Sequence, residues 1–269
     1  GRKWWEVRGT KLLNYLADVY KHYGSRAPIF FWRMICYLFD AYLLKKTIVT
    51  ICSHGFEIPL ALQVPGISRS LYLHRIRELD HFWMMKQCMP KKARVLDVGA
   101  NIGYYLRVAD YLAQGCEKII AIEPDPRNID FLKKYVLSNM DNVVLHEGAL
   151  SDITGSSFLT IHKRSNLTKV TNVDQDHTQN TYLNKVKVDL FSLTDLVSKD
   201  EDIDFIRMDV EGHEINILQS LSDLIAEKKL KPPKYVIFEV HDYGSREKEM
   251  RSLLQKLFAQ GYSVKYISS

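Results

Sequence analysis

The stretch Val95–Tyr105, "VLDVGANIGYY", decides how this chain is read. Apolar and β-branched residues run into an acid, Asp97. Gly99 and Gly103 follow four residues apart, and a helix-like run begins at Tyr104. A strand that ends in a glycine turn and opens a helix brings free backbone N–H groups up to a small molecule. The spacing then excludes two common ligands. A dinucleotide loop needs G-x-G-x-x-G, and here Ala100, Asn101 and Ile102 separate the two glycines. A phosphate loop needs G-x-x-x-x-G-K-[ST], which is absent.

What remains is D-x-G-A-N-x-G, with a second acid, Glu123, 26 residues beyond Asp97. An acid at that place can accept ribose hydroxyls, and an acid in the first loop suits a cation better than a polyphosphate. A nucleoside without phosphate, carrying positive charge, points to S-adenosylmethionine.

Working outward, strands and helices alternate after residue 93, which predicts a parallel sheet with crossover helices. Strands are expected at Arg94–Val98, Lys118–Glu123, Val143–Glu147, Asp204–Met208, "YVIFEV" (235–240) and "YSVKYI" (262–267). Helices are expected over Tyr104–Gln114, from Pro126, after Gly212 and over Ser245–Ala259. A further β-like pair, "SSFLTIH" and "VKVDLFS", brackets the polar loop Lys163–Tyr182. Ligands of such sheets lie beyond the carboxyl ends of the strands. The groups to collect are therefore Asp97–Gly103, Glu123, Glu147–Asp152, Asp209–Glu214 and Glu239–Asp242.

The front of the chain differs. Residues 1–94 hold 16 Lys+Arg against 6 Asp+Glu, so the net charge of +5 hides a basic front and an acidic back. Eleven aromatics fall in the first 45 residues. "APIFFWRMICYLFDAYLLKK" (Ala27–Lys46) reads as a helix too short and too charged to span a bilayer. It is either a cap packed on protein or an interfacial helix with rings at headgroup level. "KTIVTIC" and "FEIPLAL" around Ser53-His54-Gly55 predict a β-hairpin, and Ser68–Cys88 a helix. The expected domains are 1–46, a helical aromatic and basic extension; 47–92, hairpin and helix; and 93–269, the cofactor-binding domain. Four cysteines without a CxxC pair suit a reducing, cytoplasmic compartment, with a peripheral seat at the inner membrane face if the front is interfacial.

The ordered set "RVLDVGANIGYYLRVAD", "IIAIEPDPRNIDFLKKYV", "NVVLHEGALSD", "IDFIRMDVEGHEINIL" and "YVIFEVH" resembles the FkbM-type S-adenosylmethionine-dependent methyltransferases over about residues 47–269. The resemblance implies an α/β, Rossmann-like class I methyltransferase fold: a mostly parallel twisted sheet with helices on both faces, here preceded by a helical extension and a β-hairpin. It also implies methyl transfer to oxygen, on a sugar, a glycan or a natural-product hydroxyl. Arg207-Met208 stands where the family usually has Lys-Ile, and Gln219-Ser220 replaces a Gly-containing pair. The chain ends before the last strand expected of the fold, and its first 45 residues have no counterpart in the family pattern.

On this reading Asp97 orients the loop and the amino group of the methionine part, or simply caps the helix. Gly99, Ala100, Asn101, Gly103 and Tyr104 form the cofactor turn. Glu123 holds the ribose, Pro124 and Asp125 fix its turn, and Gly148, Ala149 and Asp152 border the adenine. Asp209 closes the cofactor set and opens the catalytic one. His241 is the first candidate for general base and His213 the second, with Glu239 orienting His241 or taking the proton itself. Glu211 and Glu214 are equally explained as helix-start acids. Asp209, Glu211 and Glu239 are hard-oxygen candidates for Mg²⁺. The expected acceptor is a sugar or other hydroxyl compound, carried on a lipid if residues 1–46 meet a membrane surface. The alternatives are an RNA 2′-O-methyltransferase, disfavoured by the acidic strand ends, and a cofactor-binding pseudoenzyme that recruits partners.

Overall fold

A computed structural model describes residues 21, 24–62, 66–162, 169–171, 182–210, 212–240 and 243–267. The chain divides into two compact units, residues 1–51 with 60–77 and residues 52–59 with 78–269.

In the first unit, α1 (Ala27–Leu38) carries Pro at its first turn and runs into a π-helical turn, Phe39–Leu43. Helix α2 (Ile67–His74) packs on it. Helix α1 buries Ala27, Phe30 and Tyr37, with hydrogen-bonding groups beside them. Arg33 donates to the Leu73 carbonyl at 3.1 Å, and Tyr37 donates to the Leu62 carbonyl at 3.2 Å. Asp40 accepts from the Tyr72 hydroxyl at 2.9 Å and pairs with Lys46 at 2.8 Å. The Tyr37 and Tyr72 rings meet edge to face at 5.4 Å. Strands β1 (Ile48–Ser53) and β2 (Phe56–Ala61), of which residues 52–59 are counted with the second unit, form the expected two-stranded hairpin, with His54 and Gly55 both at positive φ.

The helix predicted over Ser68–Cys88 is two helices. Arg75 and Glu78 adopt left-handed backbone, φ 66° and 46°, which ends α2 and starts α3 (Leu79–Cys88). No glycine or proline marks that break in the sequence.

The second unit holds β3 (Arg94–Val98), α4 (Tyr104–Leu112), β4 (Lys118–Glu123), α5 (Pro126–Phe131) and β5 (Val143–Leu150). It continues with β6 (Gly155–His162), β7 (Lys169–Thr171), β8 (Tyr182–Phe191) and α6 (Leu193–Leu196). Then come β9 (Phe205–Met208), α7 (Glu214–Ala226), β10 (Tyr235–Phe238) and α8 (Tyr243–Ala259). Among the described residues the sheet has eight strands in the order β10-β9-β3-β4-β5-β8-β6-β7. The first six run parallel, and β6 and β7 add antiparallel beyond β8.

Strand residues alternate between faces. Leu96, Val98, Ile120, Ile122, Ile206 and Met208 point to a core closed by Ile217, Leu218 and Leu221 of α7 and Met250 and Leu253 of α8. The alternate positions, Asp97, Ala121 and Arg207, share the other face, where Asp97 and Arg207 stand in register on β3 and β9.

Residues 262–267 are not a strand. Their two tyrosines and Lys265 make side-chain contacts, while Val264 and Ile267 are exposed. The Tyr262 hydroxyl donates to the Pro233 carbonyl at 2.7 Å, Lys265 lies over Tyr235, and Tyr266 meets Trp83 edge-on at 4.9 Å.

Candidate cofactor site and active site

The chain winds outward in opposite directions from β3 and β9, so their carboxyl ends form the switch point where ligands of open α/β sheets bind. The ends are stitched together by the backbone. Asp209 N–H donates to the Val98 carbonyl at 3.0 Å, and Glu239 N–H to that of Met208 at 3.2 Å. Gly99 and Ala100 N–H both donate to the Ile122 carbonyl. Gly99 has φ 83°, and a Cβ there would collide with the Asp209 carbonyl, so the position needs glycine for conformation and for close approach. Gly103, at φ 82°, then caps α4.

Glu123 is buried at the end of β4, and three N–H donors converge on its carboxylate. Asn101 N–H reaches Oε2 at 2.7 Å, while Asp125 N–H and Asn128 Nδ2 both reach Oε1 at 3.0 Å. Of about four lone-pair positions, three are filled and one on Oε2 remains. Burial pushes the carboxyl up to about 7, against the pull of those donors.

Asp97 is met by a charge. Arg207 Nη1 lies 3.3 Å from Asp97 Oδ1 and donates to the Gly99 carbonyl at 2.9 Å, while Nη2 donates to Asp209 Oδ2 at 2.9 Å. The guanidinium lies 4.2 Å from the Tyr105 ring centre, and the Tyr105 hydroxyl donates to Glu78 Oε2 at 2.5 Å. Burial opposes the charge of Arg207, yet Asp97 and Asp209 hold it above its usual value. Burial also drives the Asp97 carboxyl up, with Arg207 pulling it down. Asp97 Oδ2 and Arg207 Nε are buried without a hydrogen-bond partner among the described residues.

The other predicted residues fall out as follows. Asp125 is buried and caps α5 through Arg127 N–H at 2.9 Å, and the Arg127 guanidinium grips both its oxygens. Pro124 lies between these two acids, half-buried. Tyr104 is buried in a ring cluster with Tyr105 and Phe56. Gly148 and Ala149 are buried in register with Asp189 and Leu190 of β8. Asp152 is exposed and lines an open cleft of about 720 Å³ with Asn216, Gln219 and Arg246 of α7 and α8, a lining that includes no residue of the glycine turn. His213 is half-buried at the start of α7, and Glu214 is buried, accepting from Gly212 N–H at 3.1 Å. Glu211 and His241 lie outside the described residues. For the Mg²⁺ candidates, Asp209 is engaged with Arg207, and no group of three His, Cys, Asp or Glu that could hold a metal ion occurs among the described residues.

Sequence reasoning treated Arg207 only as a departure from a family pattern. Its signal was a cation inside the apolar strand "FIRM", which needs a buried counter-charge. Asn128, which holds Glu123, left no such signal.

A parallel sheet in this order, a glycine turn after its first strand and an acid ending its second define a class I methyltransferase fold. Residues 97–264 match the family described as Methyltransferase FkbM domain, and the chain belongs to that family of S-adenosylmethionine-dependent methyltransferases. A search of the curated proteins found no match. Similar solved structures include methyltransferase FkbM from Methylobacillus flagellatus KT, with 21% identity, 61% of this chain and 37% of that chain covered, and TM-score 0.41. Precorrin-6y C5,15-methyltransferase from Geobacter metallireducens GS-15 shows 14% identity, coverage of 71% and 75%, and TM-score 0.40. M. jannaschii TYW2 in complex with AdoMet shows 12% identity, coverage of 78% and 73%, and TM-score 0.42. This chain therefore spans little more than a third of the length of the M. flagellatus protein.

The residues present fit S-adenosylmethionine on two observations. The Glu123 carboxylate keeps one acceptor position, as a ribose hydroxyl requires. Asp97 keeps a buried oxygen without a partner beside the glycine turn.

Proposed function

We propose that this chain methylates a hydroxyl oxygen on a sugar or glycan. The observation that carries the reading is the acidic edge beside the glycine turn. Asp209 and Glu239 follow directly on the paired residues Met208 and Phe238, so two carboxylates stand at neighbouring strand ends beside the switch point. A bound S-adenosylmethionine supplies an electrophilic methyl on a sulfonium. The protein's share is to hold the acceptor in line with that methyl, worth several kcal/mol of the barrier, and to take the hydroxyl proton. Asp209 is anchored to Arg207, so its charge shapes the site while its position is fixed. Proton removal falls to Glu239 or to His241, the two residues the sequence offers at the end of β10. An acceptor carried on a lipid is the form of this reading that the basic, aromatic front favours. A divalent ion is not needed for it.

Binding of S-adenosylhomocysteine by calorimetry tests the cofactor half, with Glu123→Ala expected to weaken it at least tenfold. Isotope-labelled methyl transfer to a panel of glycans, with and without Mg²⁺, tests the acceptor half. Label on oxygen that falls at least a hundredfold in His241→Ala or Glu239→Gln supports the reading. Label on nitrogen or on RNA overturns it.

A further inference from the structure

Helix α1 and the π-helical turn after it carry apolar residues on their outward side as well as their inner one. The side that faces protein buries Ala27, Phe30 and Tyr37, and Arg33, Tyr37 and Asp40 hydrogen-bond within the first unit. The groups that face solvent are apolar. Ile29, Trp32, Ile35, Phe39 and Leu43 recur at three- and four-residue steps, and Trp32 and Leu43 are 65% and 68% exposed. Leu38 and Tyr42 widen the same side, also exposed. A helix in water normally turns polar residues outward, and a continuous apolar stripe of this kind marks a surface meant to be covered.

Charge selects what covers it. Residues 1–46 carry nine Lys+Arg against three Asp+Glu. Arg26 precedes the stripe, and Lys45 and Lys46 follow it, all three exposed. A second copy of the stripe would bring like charges together, whereas an anionic lipid surface offers both the apolar layer and the counter-charge. Length decides the orientation. Twelve residues of α1 span about 18 Å, short of the roughly 30 Å of a hydrocarbon core. No helix among the described residues is long and apolar enough to cross a membrane. We infer that the α1 stripe lies in the plane of an anionic membrane surface, with Trp32, Phe39 and Tyr42 at headgroup level and the cations at both ends of the stripe against lipid charge. The inference stands apart from the methyltransferase reading.

The test is co-sedimentation of the full chain with vesicles of phosphatidylcholine alone or mixed with phosphatidylserine. Binding should favour the phosphatidylserine vesicles at least tenfold and weaken as salt rises. The Trp32→Glu/Leu43→Glu variant should lose at least tenfold in partitioning while binding S-adenosylhomocysteine as the parent does, which shows that the rest of the chain is folded. Brominated lipid should quench parent tryptophan fluorescence more than that of Trp32→Phe, a variant that keeps the stripe apolar. The idea is overturned if the parent stays in the supernatant with phosphatidylserine vesicles, or if the double variant partitions like the parent. It is also overturned if sedimentation shows a parent dimer that the double variant dissolves and that ignores vesicles.

Discussion

Asp97 and Glu123 end adjacent strands of one sheet, are 1% and 4% exposed, and are satisfied in opposite ways. Asp97 faces a full counter-charge, Arg207, shared with Asp209. Glu123 is hydrogen-bonded by neutral N–H donors, two from backbone and one from Asn128. Burial raises the Asp97 carboxyl, and the Arg207 charge pulls it back down. Dipoles leave ionisation open to the balance between burial and hydrogen bonding, and burial lifts Glu123 to about 7. One corner of this sheet edge is built on an ion pair, and the other on neutral donors.

The largest blow to this contrast is Arg207→Met. It strips Asp97 of its buried partner and should cost about 3–5 kcal/mol in denaturant unfolding. A cost below about 1 kcal/mol would mean that Asp97, like Glu123, needs no cation. Glu123 is tested by pH. Below its ordinary value of 4.5 the carboxyl is protonated folded and unfolded; between 4.5 and about 7 only the unfolded chain gives the proton up. Folding stability from this group therefore falls as pH rises through that window, by about 3 kcal/mol in all, and stays lost above it. Glu123→Gln should flatten the slope. It should also cost about 1–2 kcal/mol at pH 5, because the amide nitrogen that replaces Oε2 cannot accept from Asn101 N–H.

Arg207→Lys keeps the charge but not the fork that reaches Asp97, the Gly99 carbonyl and Asp209 together. A loss of about 1–2 kcal/mol, with a weakened S-adenosylhomocysteine complex, is expected. Tyr105→Phe keeps the ring beside Arg207 and drops the hydroxyl's bond to Glu78, for about 1 kcal/mol. The smallest effect belongs to the exposed pair Lys133–Glu147, where Lys133→Ala should change stability by less than about 0.5 kcal/mol.

Much of this edge was legible in the sequence because a parallel ladder carries strand ends to one side. The run into Asp97, the positive-φ glycines and the acid at Glu123 are local patterns, and β3, β4, β9 and β10 pair as their positions implied. The ion pair was not legible. Arg207 meets Asp97 across 110 residues, and only the strand register brings them together. The break at Arg75 and Glu78 was missed for a different reason: both are ordinary helix formers held in left-handed backbone by their surroundings. Residues 262–267 misled because alternation signals a half-buried segment, whereas a strand also needs a neighbour to share its backbone bonds.

The carboxyl at Glu123 also has a calorimetric consequence. A nucleoside that requires the ionised form must displace a proton whenever the site starts protonated. The heat of binding then includes the heat of protonating the buffer. Two titrations at pH 6.5, one in phosphate and one in Tris, should give different enthalpies for the same complex, and the gap should close as the pH is raised well past 7. The difference, divided by the difference in buffer ionisation heats, counts the protons released.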